Sequence, residues 1–256
     1  MLTHKIENLD SLNAAFETQK PLEIVRWAVK EFAPKIAMTS SFGPESGTLL
    51  HVVSQVNPEV PVLFLETGYH FPETLEYRDR LIKLFGLKNV INLKADPARK
   101  AEVVAQYDGV PYEKNPDLCC KINKVEPMEA GLKGYEAWMT GIRRHQTDHR
   151  KSIHIVEEYE GEIYKISPLA NFTSRDSWWY MKEHNIPQHP LYEKGYLSIG
   201  CWPCTRPVQA GDDERSGRWA GKGKTECGIH TFMKEVKPAA KAEQEKELPK
   251  DIGGGV

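Results

Sequence analysis

The chain has no run of eighteen apolar residues, so no transmembrane helix is supported. Its first residues, MLTHKIENLDSLN, lack the apolar stretch of a secretory signal, and a cytoplasmic protein is expected. Positive charge is not in excess. The 34 Lys and Arg stand against 36 Asp and Glu, a net charge of −2, unlike a dedicated nucleic-acid binder. No internal repeat is present, and nothing in the composition decides for or against a homo-oligomer. Cysteine is scarce, at 5 in 256 residues, and odd in number. In a reducing compartment that count points to metal binding or thiol chemistry, not to a disulfide framework. What is present, 40% hydrophobic and 27% charged residues, suits a soluble protein with one large α/β core or two small ones.

Short apolar runs alternate with helical periodicity. Leu12, Phe16, Ile24, Trp27, Ala28 and Phe32 recur mostly at helical steps until Pro34 breaks the pattern. Strand-like runs at Ile36–Ser40, Pro61–Glu66 and Asn89–Leu93 lead into helix-like segments at Ser46–Val56, Pro72–Phe85 and Pro97–Gln106. Residues 116–126 read as a helix, and Tyr135–Thr140, Ile153–Val156 and Ile163–Ile166 as later strands. Thr173–His184 reads as a helix, with Asp176 placed to complete a cap on Thr173. The alternation predicts an α/β fold, a doubly wound and mostly parallel sheet with helices on both faces. Residues 1–210 carry it. From about Pro187 the periodicity fades, residues 211–233 are expected to be a mobile cysteine-bearing flap, and 234–256 a disordered tail.

Cys119 and Cys120 stand side by side in DLCCKINK. Neighbouring cysteines rarely bond to each other, because the small ring strains the peptide and the disulfide geometry. With Cys201 and Cys204 of CWPC they make four thiols from two distant segments, a set that suits a zinc site or a [4Fe–4S] cluster. An adjacent pair does not form the two-residue-spaced knuckle of structural zinc sites, whereas neighbouring thiols can reach different irons, so the cluster is favoured. The other reading is two buried helix cysteines plus a redox pair, which the Gly- and Pro-rich loop around CWPC disfavours. The fifth, Cys227 in TECGIH, has His230 three residues on and Arg215, Arg218, Lys222 and Lys224 upstream. Thiols in such surroundings react as thiolates, unless this one is an incidental surface cysteine.

Between the first strand and its helix stands TSSFGPESG, residues 39–47, with Ser40, Ser41, Phe42, Gly43 and Ser46. Small residues at a helix N-terminus admit an oxyanion, although the GK[ST] of a Walker motif is missing and an ordinary turn would read alike. TGIRRHQTDHRK, residues 140–151, gathers Arg143, Arg144, His145, His149 and Arg150 at the end of a strand. An open α/β sheet places ligands there, so the cluster reads as a site for a doubly charged substrate or else as a basic surface loop. ERSGRW, residues 214–219, adds Arg215 and Arg218 near Cys227.

Together SSFGPESG, LETGYHFPET, CCKINKVEP, TGIRRHQ, CWPC, ERSGRW and ECGIH resemble the assimilatory adenylyl-sulfate reductase family, relatives of phosphoadenylyl-sulfate reductase. The resemblance runs from about residue 36 to 230 in the family's order. It implies an adenine nucleotide α-hydrolase-like fold and a [4Fe–4S] cluster on Cys119, Cys120, Cys201 and Cys204. It implies a nucleophile at Cys227, a cluster-side Lys124, and Arg150, Arg215, Arg218 and His230 around a phosphosulfate. Ser40, Ser41, Gly43 and the turn Glu66–Thr67–Gly68 match its nucleotide site. The implied substrate is adenosine 5′-phosphosulfate and the implied electron donor a separate thioredoxin. SFGPESG reads partly like the enzymes that use the 3′-phosphorylated substrate, which leaves that selectivity open. Two rival classes are an ATP-using PP-loop enzyme such as a tRNA thiolase, and a non-catalytic Fe–S or zinc module.

Overall fold

Alternating apolar side chains decide which way each strand faces. In β1 (Ile36–Thr39), Ile36 and Met38 enter one core while Ala37 enters a second on the opposite side. The computed structural model describes residue 2, residues 5–159 and residues 163–232; the expected tail at 234–256 lies outside them. The first helical stretch is two helices, α1 (Leu9–Phe16) and α2 (Pro21–Phe32), the second opened by Pro21 in its first turn. After β1 come α3 (Ser46–Val56), β2 (Val62–Leu65), α4 (Pro72–Phe85), β3 (Val90–Leu93) and α5 (Pro97–Gln106). Short helices α6 (Pro111–Lys114) and α7 (Pro116–Cys120) then lead to α8 (Glu126–Leu132) and β4 (Ala137–Met139). β5 (Val156–Tyr159), β6 (Ile163–Ile166) and α9 (Ser174–Glu183) complete the regular elements.

The six strands lie in the order β3-β2-β1-β4-β6-β5. All neighbours are parallel except β5, which runs antiparallel to β6 at the edge. The chain builds outward from β1 to β3 and then crosses to β4 on the other side of β1. That reversal leaves a crevice between β1 and β4 at the carboxyl ends of the strands, where open α/β sheets take ligands. α2, α3, α4 and α9 cover one face through residues such as Val25, Leu50, Leu81 and Met181, and α8 covers the other through Met128 and Leu132. α9 starts as expected: Thr173 and Asp176 form a reciprocal capping box.

Two expectations change. The strand expected at Ile153–Val156 lies at Val156–Tyr159, where Val156 faces Ile166 and Tyr159 faces Ile163. Ile153 and Ile155 are buried as well, but as part of the preceding loop. The helix expected over 116–126 is interrupted by a π-helical turn, Lys121–Val125, directly after the paired cysteines. Pro127 has no N–H for the carbonyl four residues back, and Glu126 N–H reaches five back, to Lys121.

Candidate active site

A cavity of about 230 Å³ opens where β1 and β4 part. Ser40, Ser41, Gly43 and Ser46 line it from the loop after β1, and Thr67 from the turn after β2. Ser40 Oγ accepts from Phe42 N–H at 3.1 Å, and Ser46 N–H donates to Gly43 O at 3.0 Å, so the loop curls at the start of α3. Phe42, expected at the nucleotide, instead anchors that loop. It is fully buried, sits at φ 48°, and its ring meets Phe64 edge-on at 5.4 Å. Thr67 faces the cavity, whereas Glu66 folds back to accept from Gly68 N–H at 2.9 Å, and Gly68 takes φ +76° for that turn. Neither Glu66 nor Gly68 lines the cavity.

The basic loop after β4 divides its cations. Arg143 lines the cavity but is 2% exposed. Its Nη1 donates to Glu45 Oε1 at 2.5 Å and to Ser177 Oγ at 2.7 Å, and its Nη2 pairs with Glu45 Oε2. It therefore clamps the SFGPES loop against α9. Arg144, expected at the substrate, is turned away from the cavity to Glu17, Asn171 and the Ile153 carbonyl. The Arg144 hydrogen bond pushes the Glu17 carboxyl down to about 2, so this pair is spoken for. Of the three arginines, Arg143 and Arg150 line the cavity and Arg144 does not.

Arg150 is joined by Lys124, Arg215, Arg218, Cys227 and His230 around the same cavity. Arg218 lies over the Trp219 ring at 4.5 Å, with Nη1 near Ser198 Oγ at 3.4 Å and Ile199 O at 3.3 Å. Four buried nitrogens in this group have no hydrogen-bond partner: Arg215 Nε, Arg218 Nε, Trp219 Nε1 and His230 Nδ1. Orphaned donors beside clustered cations describe a receptor for an anion. Burial, with Arg150 and Lys165 near, pushes the His230 imidazole well below the usual histidine value, so it offers a hydrogen bond and no charge. It stacks on Trp138 with centroids 5.7 Å apart. Burial and the neighbouring Arg150 and Arg218 lower Arg215 to about 10, still protonated at neutral pH. Burial opposes the charge on Lys124, but Cys201, Cys227 and Cys120 more than offset it and raise its pKa.

Within residues 211–233, expected as a mobile flap, Gly217 and Trp219 are buried. Trp219 is 2% exposed and holds φ 50°, a left-handed backbone that bulky residues adopt only when packing enforces it. Its N–H donates to Cys204 O at 2.9 Å, and Thr205 bridges Arg218. A Cβ at Gly217 would collide with the Arg206 carbonyl oxygen, so this crossing requires glycine. Lys222 Nζ donates to Tyr112 O at 2.7 Å, and Lys224 pairs with Asp117, tying the segment to α6 and to α7, which carries the paired cysteines. Pattern reading also missed Glu226. It receives Arg150 Nε and Nη2, each at 2.7 Å, and its position beside the lone thiol was the available signal.

All five cysteines are free. Cys119 and Cys120 end α7, and Cys201 and Cys204 bracket a 3₁₀ turn. Burial, then Cys120, Cys201 and Cys204, push the Cys119 thiol up to about 12. Charge on Cys120, Cys201 or Cys204 thus disfavours the Cys119 thiolate, which a nearby cation would stabilise. Among the described residues no group of three or more His, Cys, Asp or Glu is arranged to hold a metal ion. A single zinc would draw its sulfurs to about 3.8 Å from one another, as Zn–S bonds of about 2.3 Å in a tetrahedron require. Four free thiols are the donor type and number that an iron–sulfur cluster takes.

A parallel sheet with its ligand crevice at the reversal point, a lone thiol and inward-facing cations define an α/β enzyme site for an anionic nucleotide. Residues 35–207 match the phosphoadenosine phosphosulfate reductase domain, and the chain belongs to that family. A protein of Mesorhizobium japonicum named adenosine 5′-phosphosulfate reductase is 45% identical over 226 residues, 88% of each chain. A Bacillus cereus protein of the same name is 40% identical over 234 residues, 90% of this chain and 99% of that one. Among solved structures, phosphoadenylyl-sulfate reductase of Candida auris in a phosphate complex superposes with a TM-score of 0.67 at 28% identity, covering 81% of this chain and 99% of that one. FMN adenylyltransferase of Candida glabrata shares the fold at a TM-score of 0.54 and 14% identity, over 83% of this chain and 71% of that one. No helix of the described residues is long and apolar enough to cross a membrane.

Proposed function

We propose that this chain reduces adenosine 5′-phosphosulfate to sulfite and AMP in sulfate assimilation. Family membership and relatives of that name at 40–45% identity support the substrate. The observation that carries the chemistry is the convergence of Cys227 with Lys124, Arg150, Arg215 and Arg218 on one cavity at the carboxyl edge of the sheet.

The Cys227 thiolate attacks the sulfur of the phosphosulfate, the bond from sulfur to the bridging oxygen breaks, and AMP leaves with that electron pair. An S-sulfonate remains on Cys227. Two like unit charges about 4 Å apart repel by about 4 kcal/mol at an effective dielectric of ~20, so a thiolate approaches a sulfonate only where cations offset the repulsion. Lys124, Arg215 and Arg218 line the cavity with Cys227 and would do this and stabilise the leaving phosphate, while neutral His230 would offer a hydrogen bond without adding charge. With the four other cysteines assigned to a cluster, Cys227 has no internal partner, so release of sulfite takes an external dithiol, which we assign to thioredoxin. Its first thiolate attacks Cys227 Sγ, sulfite departs, and its second thiol resolves the mixed disulfide, supplying both electrons. Such a donor belongs to the reducing cytoplasm.

Cys119, Cys120, Cys201 and Cys204 would hold a [4Fe–4S] cluster. When bound, the cluster would tune the charge around Lys124, since thiol exchange already supplies the electrons. Labelled adenosine 5′-phosphosulfate with reduced thioredoxin tests the proposal. Sulfite and AMP without added ATP are expected; no sulfite, or a strict need for ATP as in a tRNA thiolase, would overturn it.

A further inference from the structure

We infer that Glu226 is a positioning residue that serves as the cavity's own anion: its carboxylate holds the Arg150–Arg215 pair until a phosphosulfate displaces it, and its departure frees the adjoining Cys227. The geometry is that of a bound oxyanion. Arg150 grips both carboxylate oxygens, Nε to Oε1 and Nη2 to Oε2 at 2.7 Å each. Thr147 Oγ1 adds a contact to Oε1 at 3.3 Å, and Arg215 Nη2 lies 3.7 Å from Oε2. Arg215 Nη2 also donates to Thr225 O at 3.0 Å, so the two arginines clamp residues 225 and 226, immediately before the thiol. The pair is well shielded, with side-chain exposures of 8% for Arg150 and 14% for Glu226.

The other carboxylates at this cavity are committed elsewhere, Glu45 to Arg143 and Glu214 to the Ser174 hydroxyl. Arg150 has no arm to spare, because its Nη1 donates to Gln146 Oε1 at 2.5 Å. An incoming dianion therefore meets Arg218, Lys124 and the orphaned donors directly, but gains Arg150 only by exchanging with Glu226. A carboxylate left in place would also repel it. Exchange transfers the clamp from the protein segment to the substrate. Residues 225–227 then lose their main anchor as the reaction begins, which suits a thiol that must face the substrate first and the reductant afterwards. The inference rests on the phosphosulfate reading of this site.

AMP serves as the probe, with the full chain throughout. In calorimetry, Glu226→Gln binds AMP at least about fivefold more tightly than wild type, the scale of removing a charge-assisted competitor, while Glu226→Asp stays near wild type. The KM of Glu226→Gln for adenosine 5′-phosphosulfate falls by a similar factor and kcat does not rise. In wild type, amide exchange across residues 225–227 speeds up on AMP binding, where ordinary ligand burial would slow it; this measurement decides the matter should the Gln variant fail to fold. Unchanged or weaker AMP binding by the Gln variant, or slower exchange in wild type, overturns the gate even where wild type releases sulfite. Wild-type protein that neither binds AMP nor releases sulfite overturns the functional reading and this inference with it.

Discussion

The Thr67 hydroxyl lies 3.5 Å from the sulfur of Cys201, so the turn after β2 and the CWPC loop meet at one point. The joint is reinforced on both sides. Tyr69 N–H donates to Thr67 Oγ1 at 3.1 Å, Trp202 N–H to Tyr69 O at 2.8 Å, and Lys100 Nζ to Thr67 O at 2.7 Å. The Cys201 end of the CWPC loop is therefore fixed against the Thr67 edge of the cavity. Protein purified without air should be brown and carry roughly four irons per chain, as a [4Fe–4S] group requires. Serine at 119, 120, 201 or 204 should lose iron, whereas Cys227→Ser should retain it and lose turnover. Colourless protein with one zinc per chain would contradict the assignment.

Substrate choice follows from how the arginines are spent. A 3′-phosphate adds close to two negative charges and needs a further cation or several N–H donors to replace its water. Arg143 and Arg144, the other two arginines of the loop after β4, are bound to Glu45 and Glu17. A kcat/KM preference for adenosine 5′-phosphosulfate over its 3′-phosphorylated form of at least about tenfold is expected, roughly 1.4 kcal/mol in the transition state. Equal turnover of the two with the same thioredoxin would refute it.

Stability should fall as pH drops from 7 towards 4. His189 Nδ1 accepts from Leu191 N–H at 3.1 Å, and Nε2 faces Thr74 Oγ1 at 3.1 Å, so the neutral ring is the one the fold accommodates. Burial lowers its pKa to about 4, from an ordinary value of 6.5. Between those values the unfolded chain binds the proton and the folded one does not, so acid favours unfolding across that window, by roughly 2–3 kcal/mol at most. His51 and His70, lowered mainly by burial, act in the same direction. The thermal midpoint should be lower at pH 5 than at pH 7, and His189→Asn should flatten the difference. A midpoint independent of pH over that range would count against this.

The parallel strands were legible because each is a short, mostly apolar run, and β1, β2 and β4 are set off by Pro, Gly or small polar residues. β5 was not, because Glu157 and Glu158 sit inside it and hide the apolar pattern, with Glu157 buried against Lys165 across the pair. Its antiparallel direction is set by pairing with β6, which sequence spacing does not encode. At the site, residue types were legible and their partners were not. Nothing in TGIRRHQTDHRK separates Arg144, turned to Glu17 far away in the chain, from Arg150, turned inward. The packing of residues 211–228 escaped notice for a related reason. Trp219 and the lysines hold that segment through long-range single contacts that leave no periodicity.

Mass spectrometry of the intact protein after one turnover with adenosine 5′-phosphosulfate and no reductant tests the covalent role of Cys227 most directly. One chain should gain about 80 Da, the SO₃ group retained by a thiol nucleophile, and peptide mapping should place it on Cys227. Reduced thioredoxin should then remove it as sulfite. Release of AMP with the mass unchanged, or a sulfonate on any other cysteine, would contradict that role.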